Sequence, residues 1–323
     1  MRTNSYKPEG ALIGTAENRE YISSAAGLEK AMINGRILEA PVLLCDSKMR
    51  LHLELGGGIT GIIEKEEAVY SPNGEPVKDI AVITRVGKPV CFKVLGLDYL
   101  DGKPIARLSR RDAQLECTLN HISGLLCGDV LEARVTHLES FGAFVDIGCG
   151  IVSLLSIDCI SVSRISHPKE RLSVGMPIWV IVKSIDRANG RIFVSGRELL
   201  GTWEENAAKF EAGQTVAGII RSVEPYGVFV ELTPNLAGLA ELRSEDSSLS
   251  PESMIGQFAA VYIKSILPER MKIKLVLVDA YHGEARRMPL EYFIDGKTTS
   301  HLDYWRYSPE CSPKIIETVF EKM

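Results

Sequence analysis

The feature that most limits how this chain can fold is an internal repeat. The segment GDVLEARVTHLESFGAFVDIG, from Gly128, aligns without gaps with GQTVAGIIRSVEPYGVFVELT, from Gly213. Further along, GMPIWVIVKSIDRANGRIFVS, from Gly175, aligns with GQFAAVYIKSILPERMKIKLV, from Gly256, and GKPVCFKVLGLDYLDGK, from Gly87, fits the same frame. A period of roughly 80 to 90 residues suits a small domain better than a solenoid unit.

Each repeat has the pattern of a small β-domain. In VLEARVTHL and VAGIIRSV, apolar residues alternate with polar ones, and a glycine-containing turn leads into FGAFVDI or YGVFVEL. WVIVKSI and RIFVSG form a second pair, joined by DRANG with its Asn-Gly turn signal. Four or five strands in about 70 residues is the size of an OB barrel, a closed sheet with few exposed edges. The sequence therefore predicts a mainly β chain of three tandem five-stranded OB-fold barrels.

Helical patterns separate the predicted barrels. An N-terminal helical segment covers 1–35, and short α-helical linkers cover 113–127 and 198–212. In the second linker Trp203 shares one helix face with four other apolar residues, so we expect it to pack in a core. The barrels are then a degenerate OB-fold domain at 36–112, the best motif match at 128–197, and a third at 213–279.

The C-terminal extension, 280–323, breaks the repeat pattern. We expect it to pack on the third barrel as a small appendage, and a tail that contacts RNA or protein is the alternative. Its aromatic residues are Tyr281, Tyr292, Phe293, Tyr304, Trp305, Tyr307 and Phe320.

Composition limits the classes of function. The 323 residues include 37 Lys and Arg against 42 Asp and Glu, so the net charge is −5 and any nucleic-acid site must be local and rely on stacking. No apolar stretch approaches the ~20 residues of a membrane span, and the N-terminus lacks the apolar core of a signal peptide, which predicts a cytoplasmic protein. Seven scattered cysteines without C-x-x-C spacing favour reduced thiols over a zinc knuckle.

The sequence offers little for catalysis. It contains no phosphate-binding loop, dinucleotide fingerprint, H-E-x-x-H or G-x-S-x-G motif. Gly56, Gly57 and Gly58 fall where a barrel loop is expected, and Cys117 and His121 share a helix face without a third ligand. We expect no enzymatic activity, no cofactor and no metal site.

The second repeat resembles the RNA-binding repeat of the bacterial ribosomal S-one protein family. The resemblance lies in aromatic-Gly-x-aromatic (FGAFVDIG), an apolar run and a Gly-rich turn, then Asp-x₄-Arg before a Ser-ended strand (IDRANGRIFVS). It is good in the third repeat, weak in the first, and covers roughly residues 36–279. The linker ELLGTWEENAAKF also looks like those of bacterial members of the family.

The resemblance implies an RNA site on each barrel. In this family the site is a pair of aromatics on strands two and three, a histidine at the end of the third strand, and an aspartate and arginine on the facing turn. In the second repeat the aromatics fall on Phe141 and Phe144. The aspartate and arginine fall on Asp186 and Arg191, and Ser156 stands in place of the histidine.

The other two repeats keep this set in part. In the first repeat Met49 and His52 replace the aromatics while Asp98 and Lys103 are retained, so we expect most direct base stacking to be lost there. The counterparts in the third repeat, in the order used for the second, are Tyr226, Phe229, Leu267, Lys272 and Glu241.

Gly142 fits the proposed chemistry. Residues i and i+3 of a regular strand point to opposite faces, so a glycine-permitted bulge or twist is needed to bring Phe141 and Phe144 to one surface. Two rings side by side then form a platform for two bases, worth roughly 1–3 kcal/mol per base. Arg191 can contact a phosphate or a base while Asp186 holds its guanidinium. The alternative is that both rings are ordinary strand residues, one of them buried.

Local charge suggests several weak sites acting together. Arg164, His167, Lys169 and Arg171 are expected to cluster beside the ligand face, in the segment 163–172. Each barrel neutralises few phosphates and should bind weakly alone, whereas tethering raises the effective concentration.

These observations predict a non-catalytic protein that binds single-stranded RNA, mRNA in translation, as a short relative of the ribosomal S-one protein. The expected partners are this RNA and the small ribosomal subunit, with no membrane and no small-molecule substrate. Two alternatives stay open: an RNA-binding regulator or decay accessory outside the ribosome, and a protein-binding adaptor that uses the barrels and the aromatic extension.

Overall fold

The computed structural model describes most of the chain. For Leu100 and Tyr281 the structure describes the backbone but not the side chain. The Tyr281 ring, one of the aromatic residues of the extension, therefore lies outside the described part. The described ranges are 6–72, 74–100, 102–241, 254–281 and 288–320.

Three closed five-stranded barrels confirm the mainly β, tandem OB-type architecture. In each barrel the strands follow the order one, two, three, five, four, and strands three and five are parallel. The parallel pair closes the sheet, so the fifth strand lies directly beside the third. The described residues form two compact units, and the first comprises the described residues up to Leu125 together with Glu132–Arg134 and Asp146–Val152.

The first unit holds the first barrel and four helices. The predicted N-terminal helix is two helices, because the Ser24 side chain accepts the backbone N–H of Gly27 and starts a new one. Ser109 caps the linker helix in the same way through Asp112. The strands are β1 (Leu38–Cys45), β2 (Leu51–Glu54), β3 (Thr60–Ile63), β4 (Pro89–Leu100) and β5 (Lys103–Ser109), and the helices are α1 (Ala16–Ile22), α2 (Ala25–Ile33), α3 (Asp79–Ile83) and α4 (Arg110–Asn120).

Buried carboxylates tie the N-terminal segment to the first unit. Glu9 forms an ion pair with Arg110, with 2.6 Å between Oε1 and Nε, and its backbone N–H donates to Asp146 over 2.7 Å. Glu39 Oε2 accepts the backbone N–H groups of Gly10, Leu12 and Ile13 over 2.8–3.0 Å. The N-terminal segment is therefore held by specific polar contacts with the barrel.

The Glu39 carboxyl predicts that the first unit loses stability as pH rises. Burial raises the pKa of Glu39 to about 7 against the three N–H donors that lower it, whereas the unfolded chain releases this proton near pH 4.5. The folded state thus holds more protons between these values, and the free energy of unfolding should fall by roughly 2–3 kcal/mol as pH rises through that window. All three tryptophans lie in the second unit, so tryptophan fluorescence reports unfolding of that unit only. Unfolding of the first unit is measured as a circular dichroism transition that has no counterpart in tryptophan fluorescence. Glu39→Gln should flatten this dependence, and an unchanged slope in that variant would contradict the assignment.

The second unit holds the third barrel, most of the second barrel and the C-terminal extension. The linker between the barrels contains only a five-residue helix, because Gly201 has φ +84° and separates a 3-10 turn at Arg197–Leu200 from the helix that Thr202 caps. The predicted helix over 198–212 is therefore too long. The second barrel has β6 (Val130–Glu139), β7 (Gly142–Asp146), β8 (Val152–Ser156), β9 (Pro177–Asp186) and β10 (Arg191–Ser195), and the third has β11 (Thr215–Glu224), β12 (Gly227–Thr233), β13 (Leu236–Glu241), β14 (Phe258–Leu267) and β15 (Lys272–Tyr281), with α5 (Trp203–Ala207) between them.

The C-terminal extension packs on more than the third barrel. It forms a hairpin of β16 (Tyr304–Arg306) and β17 (Glu317–Val319), and Trp305 and Tyr307 are buried with Trp203 in the core of the second unit. Trp203 is 2% exposed, as its helix pattern predicted. The extension also pairs with the second barrel, where Leu302 donates its N–H to the carbonyl of Gly128. The extension therefore packs on the third barrel, as expected, and also contacts the second barrel.

Candidate nucleic-acid interface

Phe141 and Phe144 lie together on the surface of the second barrel. Phe141 occupies the turn before β7, Phe144 lies on β7, and their ring centroids are 6.0 Å apart at an interplanar angle of 87°. Phe141 is 53% exposed and Phe144 is half-buried. Both rings come from one hairpin, not from strands two and three. Because they are perpendicular, they do not form the flat side-by-side platform that was expected.

Gly142 allows this turn to sit against the neighbouring strand. A Cβ at this position would lie 2.5 Å from the Leu155 carbonyl oxygen and 2.9 Å from the Cα of Ser156. The Phe141 carbonyl accepts the N–H of Ile157 over 2.9 Å, which fixes the turn to the end of β8. The glycine is required by this close approach, which holds the turn that carries Phe141 against the end of β8.

The third barrel repeats the arrangement. Tyr226 is 64% exposed in the turn before β12, Phe229 lies on that strand, and their centroids are 6.3 Å apart at 89°. Gly227 stands in the place of Gly142, since a Cβ there would lie 2.5 Å from the Ala240 carbonyl oxygen. Two barrels therefore present the same aromatic geometry at the same point of the fold.

Cross-strand partners extend each aromatic pair around its barrel. Following the cross-strand pairs from the second aromatic of a barrel gives one residue on each of the five strands. We call these five residues the central row. Burial alternates along the strands, so that Phe229 is half-exposed between buried Val228 and Val230, and the row faces outward. In the third barrel the central row is Ser222, Phe229, Leu239, Lys274 and Ser265.

In the second barrel the central row contains two residues that the sequence reading missed. The His137 ring stacks on Phe144 with centroids 6.4 Å apart at 24°, and its Nε2 lies 2.7 Å from Glu139. Phe193 on β10 pairs with Leu154 and with Ser184. The gapless repeat aligns His137 with Ser222 and Phe193 with Lys274, but only the strand pairing places Phe193 and Lys274 in the central row.

The acidic and basic residues of the second barrel adjoin the central row. Asp186 and Arg191 are cross-strand partners at the tip of the β9–β10 hairpin, and Arg191 is exposed. Asp186 accepts the backbone and side-chain N–H groups of Asn189, which together with Arg191 lower the pKa of this carboxyl. The Asp186 carboxylate accepts these hydrogen bonds from Asn189 and not from the Arg191 guanidinium, so the expected fixing of Arg191 by Asp186 is not observed.

In the first barrel Lys103 is not the counterpart of Arg191. The β4–β5 hairpin is longer than the β9–β10 hairpin of the second barrel. Asp98 therefore pairs with Ile105, and Lys103 lies two residues nearer the hairpin tip than Ile105. Arg107 reaches Asp98 instead, with 2.9 Å from Nε to Oδ2. Arg107 is also the central-row residue of this barrel, with the row Leu44, His52, Ile62, Arg107 and Gly96.

His52 takes the place of the second aromatic in the first barrel. Its Nε2 lies 3.0 Å from Asp46 Oδ2, and the same carboxylate oxygen accepts Arg50 Nε over 2.8 Å. The His52 and Arg50 contacts lower the pKa of Asp46. Met49 lies in the preceding turn with φ +60°. The imidazole is thus engaged with a carboxylate where the other barrels present a ring to solvent.

The remaining expected positions fall at the edges of the aromatic surfaces. Ser156 ends β8 beside Gly142, and its hydroxyl lowers the pKa of Asp158. Glu241 is exposed at the end of β13, and Lys272 is exposed and pairs with Leu267. The third barrel therefore has a basic residue without an acidic cross-strand partner at this hairpin.

The expected basic cluster at 163–172 is broken by burial. Arg171 is 1% exposed and its guanidinium binds Glu231, so it does not belong to a ligand face. Glu231 also receives Arg221 Nε over 2.8 Å, and Arg221 binds Glu170. These four residues form an ion network in the second unit, in which the Arg171 and Glu231 side chains are fully buried.

Comparisons with known proteins place part of the chain in a domain family. Residues 127–197 match the model of the S1 RNA binding domain. The small ribosomal subunit protein bS1 of Rhizobium meliloti is 28% identical over 243 residues, covering 71% of this chain and 42% of that protein. The bS1 homolog of Bacillus cereus is 30% identical over 244 residues, covering 72% of this chain and 58% of that protein. This chain is a relative of the ribosomal S1 family.

The S1 relative matches its curated relatives over different lengths. The bS1 protein of Staphylococcus aureus is 26% identical over 327 residues, covering 97% of this chain and 78% of that protein. The chain spans only 42% and 58% of the two proteins named before it. The segment matched by the S1 domain model contains Phe141, Phe144, Ser156, Asp186 and Arg191.

Other classes of site are not found in the described part of the S1 relative. Among its described residues no three or more His, Cys, Asp or Glu side chains are grouped so that they could hold a metal ion. Cys117 is buried with Cys91 and Cys149 in a small core. None of the described helices is both long enough and apolar enough to cross a bilayer.

Proposed function

We propose that this chain binds single-stranded RNA, mRNA in translation, and catalyses no reaction. The observation that carries the proposal is the pair of exposed aromatic hairpins, Phe141 with Phe144 and Tyr226 with Phe229, at the same point of two barrels. Rings open to solvent can stack on any base, which suits an acidic chain that has little bulk charge to attract phosphates.

Each barrel has a defined part in the proposal. The regions 128–197 and 213–279 act as the stacking modules, with Arg191 and Lys272 contacting phosphates. The region 36–112 contributes less, because His52 is held by Asp46 and no ring pair is present among its described site positions. Cytoplasmic location and association with the small ribosomal subunit follow from the likeness to bS1 proteins and are part of the same proposal.

Titration of labelled RNA tests this function. We expect the full chain to bind a fluorescein-labelled 12-nucleotide uridine RNA, measured by anisotropy, and to bind an abasic strand with the same phosphates much more weakly. The affinity should fall only shallowly with salt, because each neutralised phosphate adds about 0.7 to the slope on a single strand. Equal affinity for the two strands would show that bases are not contacted, and no binding to either would refute the function.

Sedimentation separates the ribosomal role from its alternatives. Co-sedimentation with small ribosomal subunits at low salt, lost on RNase treatment of the mRNA, is the expected result. RNA binding without co-sedimentation would favour a regulator outside the ribosome. Co-sedimentation without RNA binding would favour a protein-binding adaptor.

A further inference from the structure

We infer that the fifth-strand residue of the central row gives each barrel one further contact with the RNA, a stacked base in the second barrel and a phosphate in the first and third, an inference that rests on the proposed function. This position is Phe193 in the second barrel, Lys274 in the third and Arg107 in the first. The second barrel then stacks a further base on Phe193, whereas Lys274 and Arg107 contact phosphates.

The position is defined by strand pairing in all three barrels. Each residue lies on the fifth strand, between an apolar residue of the third strand and a small residue of the fourth, Ser184, Ser265 or Gly96. In the third barrel the direct register runs from Phe229 through Leu239 to Lys274. Since strands are spaced about 4.8 Å apart, the fifth-strand side chain starts about 10 Å from the second aromatic, within reach of the same RNA strand.

The side chain at this fifth-strand position lies outside the barrel core, so packing in the core does not determine which residue type occupies it. Phe193 is half-buried between the core residues Ile192 and Val194, and Lys274 is exposed between Ile273 and Leu275. The small fourth-strand partner leaves the surface beside each side chain open. At Gly96 a Cβ would lie 2.6 Å from Arg107 Nη2, so the glycine makes room for that guanidinium.

In the second and third barrels the fifth-strand position also lies between the aromatic pair and the basic residue at the hairpin tip. In the second barrel Phe193 lies one strand beyond Leu154, two residues after Arg191 on β10. A base on Phe193 would continue the surface that begins at Phe144 towards the Arg191 guanidinium. In the third barrel Lys274 and Lys272 both point outward on β15 and form a cationic edge in the same place.

The two chemistries predict different salt dependence. An aromatic ring contributes stacking that does not displace counterions, whereas a lysine that neutralises a phosphate releases them. Phe193→Leu retains an apolar side chain but has no ring, so it separates stacking from packing. Lys274→Gln retains length and polarity but has no charge.

Anisotropy titrations of the full chain at four salt concentrations test the inference, with the uridine 12-mer and the abasic strand as probes. We expect Phe193→Leu to weaken uridine binding by roughly 5- to 150-fold without changing the salt slope. Lys274→Gln should weaken both probes and make the slope shallower by about 0.7. Wild-type uridine affinity in Phe193→Leu, or an unchanged slope in Lys274→Gln, would overturn the assignment.

Two further measurements keep the outcomes distinct. Unfolding followed by tryptophan fluorescence shows whether Phe193→Leu is folded, and if it is not, the exchange variant Phe193→Lys decides, which should acquire a steeper slope. Failure of the wild-type chain to bind the uridine strand would refute the proposed function itself. Binding that is weakened by loss of Phe141 and Phe144, but not by either fifth-strand variant, would refute this inference alone.

Discussion

Replacing Glu231 with alanine is expected to destabilise the second unit by about 3–5 kcal/mol, because it leaves a buried guanidinium without its counter-charge. Glu231 and Arg171 have fully buried side chains, and burial lowers the pKa of Arg171 while Glu231 opposes that effect. Arg221 also loses its ion pair with Glu231, but it keeps its ion pair with Glu170. Since Trp179, Trp203 and Trp305 all lie in this unit, denaturant unfolding followed by tryptophan fluorescence reports the change directly.

A double variant provides the control. Arg171→Met alone leaves Glu231 paired with Arg221 and should cost less than Glu231→Ala. The combination Glu231→Ala with Arg171→Met removes both members of the pair, and we expect it to recover much of the lost stability. If the single and double variants are equally unstable, the loss comes from the missing volume and not from the unpaired charge.

Removal of the Phe141 and Phe144 rings from the second barrel is expected to cause the largest loss of RNA affinity. Phe141→Ala with Phe144→Ala deletes two stacking surfaces, each worth roughly 1–3 kcal/mol, or a factor of about 5 to 150. Phe141 is mostly solvent-exposed, so the fold should be retained. The measurement is uridine 12-mer anisotropy, with tryptophan fluorescence unfolding in parallel.

The third barrel supplies a matched comparison for this loss. Tyr226→Ala with Phe229→Ala removes the equivalent pair, whose centroids are 6.3 Å apart at 89°, from a barrel with Lys274 in the place of Phe193. We expect its effect on uridine binding to be smaller than that of the second-barrel pair. Unchanged RNA affinity in both double variants would remove the basis of the stacking proposal, and unfolding of both would assign the rings to packing.

The architecture could be predicted because the same strand and turn pattern occurs in more than one repeat, so each repeat supports the interpretation of the others. Alternation of apolar residues gives strands, and two gapless alignments fix where each hairpin turns. The sequence indicated which rings are paired in each hairpin, but their perpendicular geometry depends on the turn at Gly142 and its contact with the Leu155 carbonyl. Local sequence thus specified which rings are present but not how they face each other.

The missed residues depend on contacts between distant strands. Phe193 and Lys274 join the aromatic surfaces only through the parallel pairing of the third and fifth strands, whose register no local pattern reveals. Arg107 replaces Lys103 because the first-barrel hairpin is longer than the alignment assumed. Arg171 was read as a surface cation, since its buried partner Glu231 lies 60 residues away.

The C-terminal hairpin has a consequence for the order in which the second unit is completed during synthesis. Trp305, Tyr307 and Phe320 fill a core that already contains Trp203, and the Tyr307 hydroxyl donates to the Asn235 carbonyl over 2.5 Å. That core stays open until residue 320 has left the exit tunnel. A nascent chain stalled before this point would display the apolar lining to chaperones, so closure of this unit has to wait for the hairpin and cannot follow directly on synthesis of the third barrel.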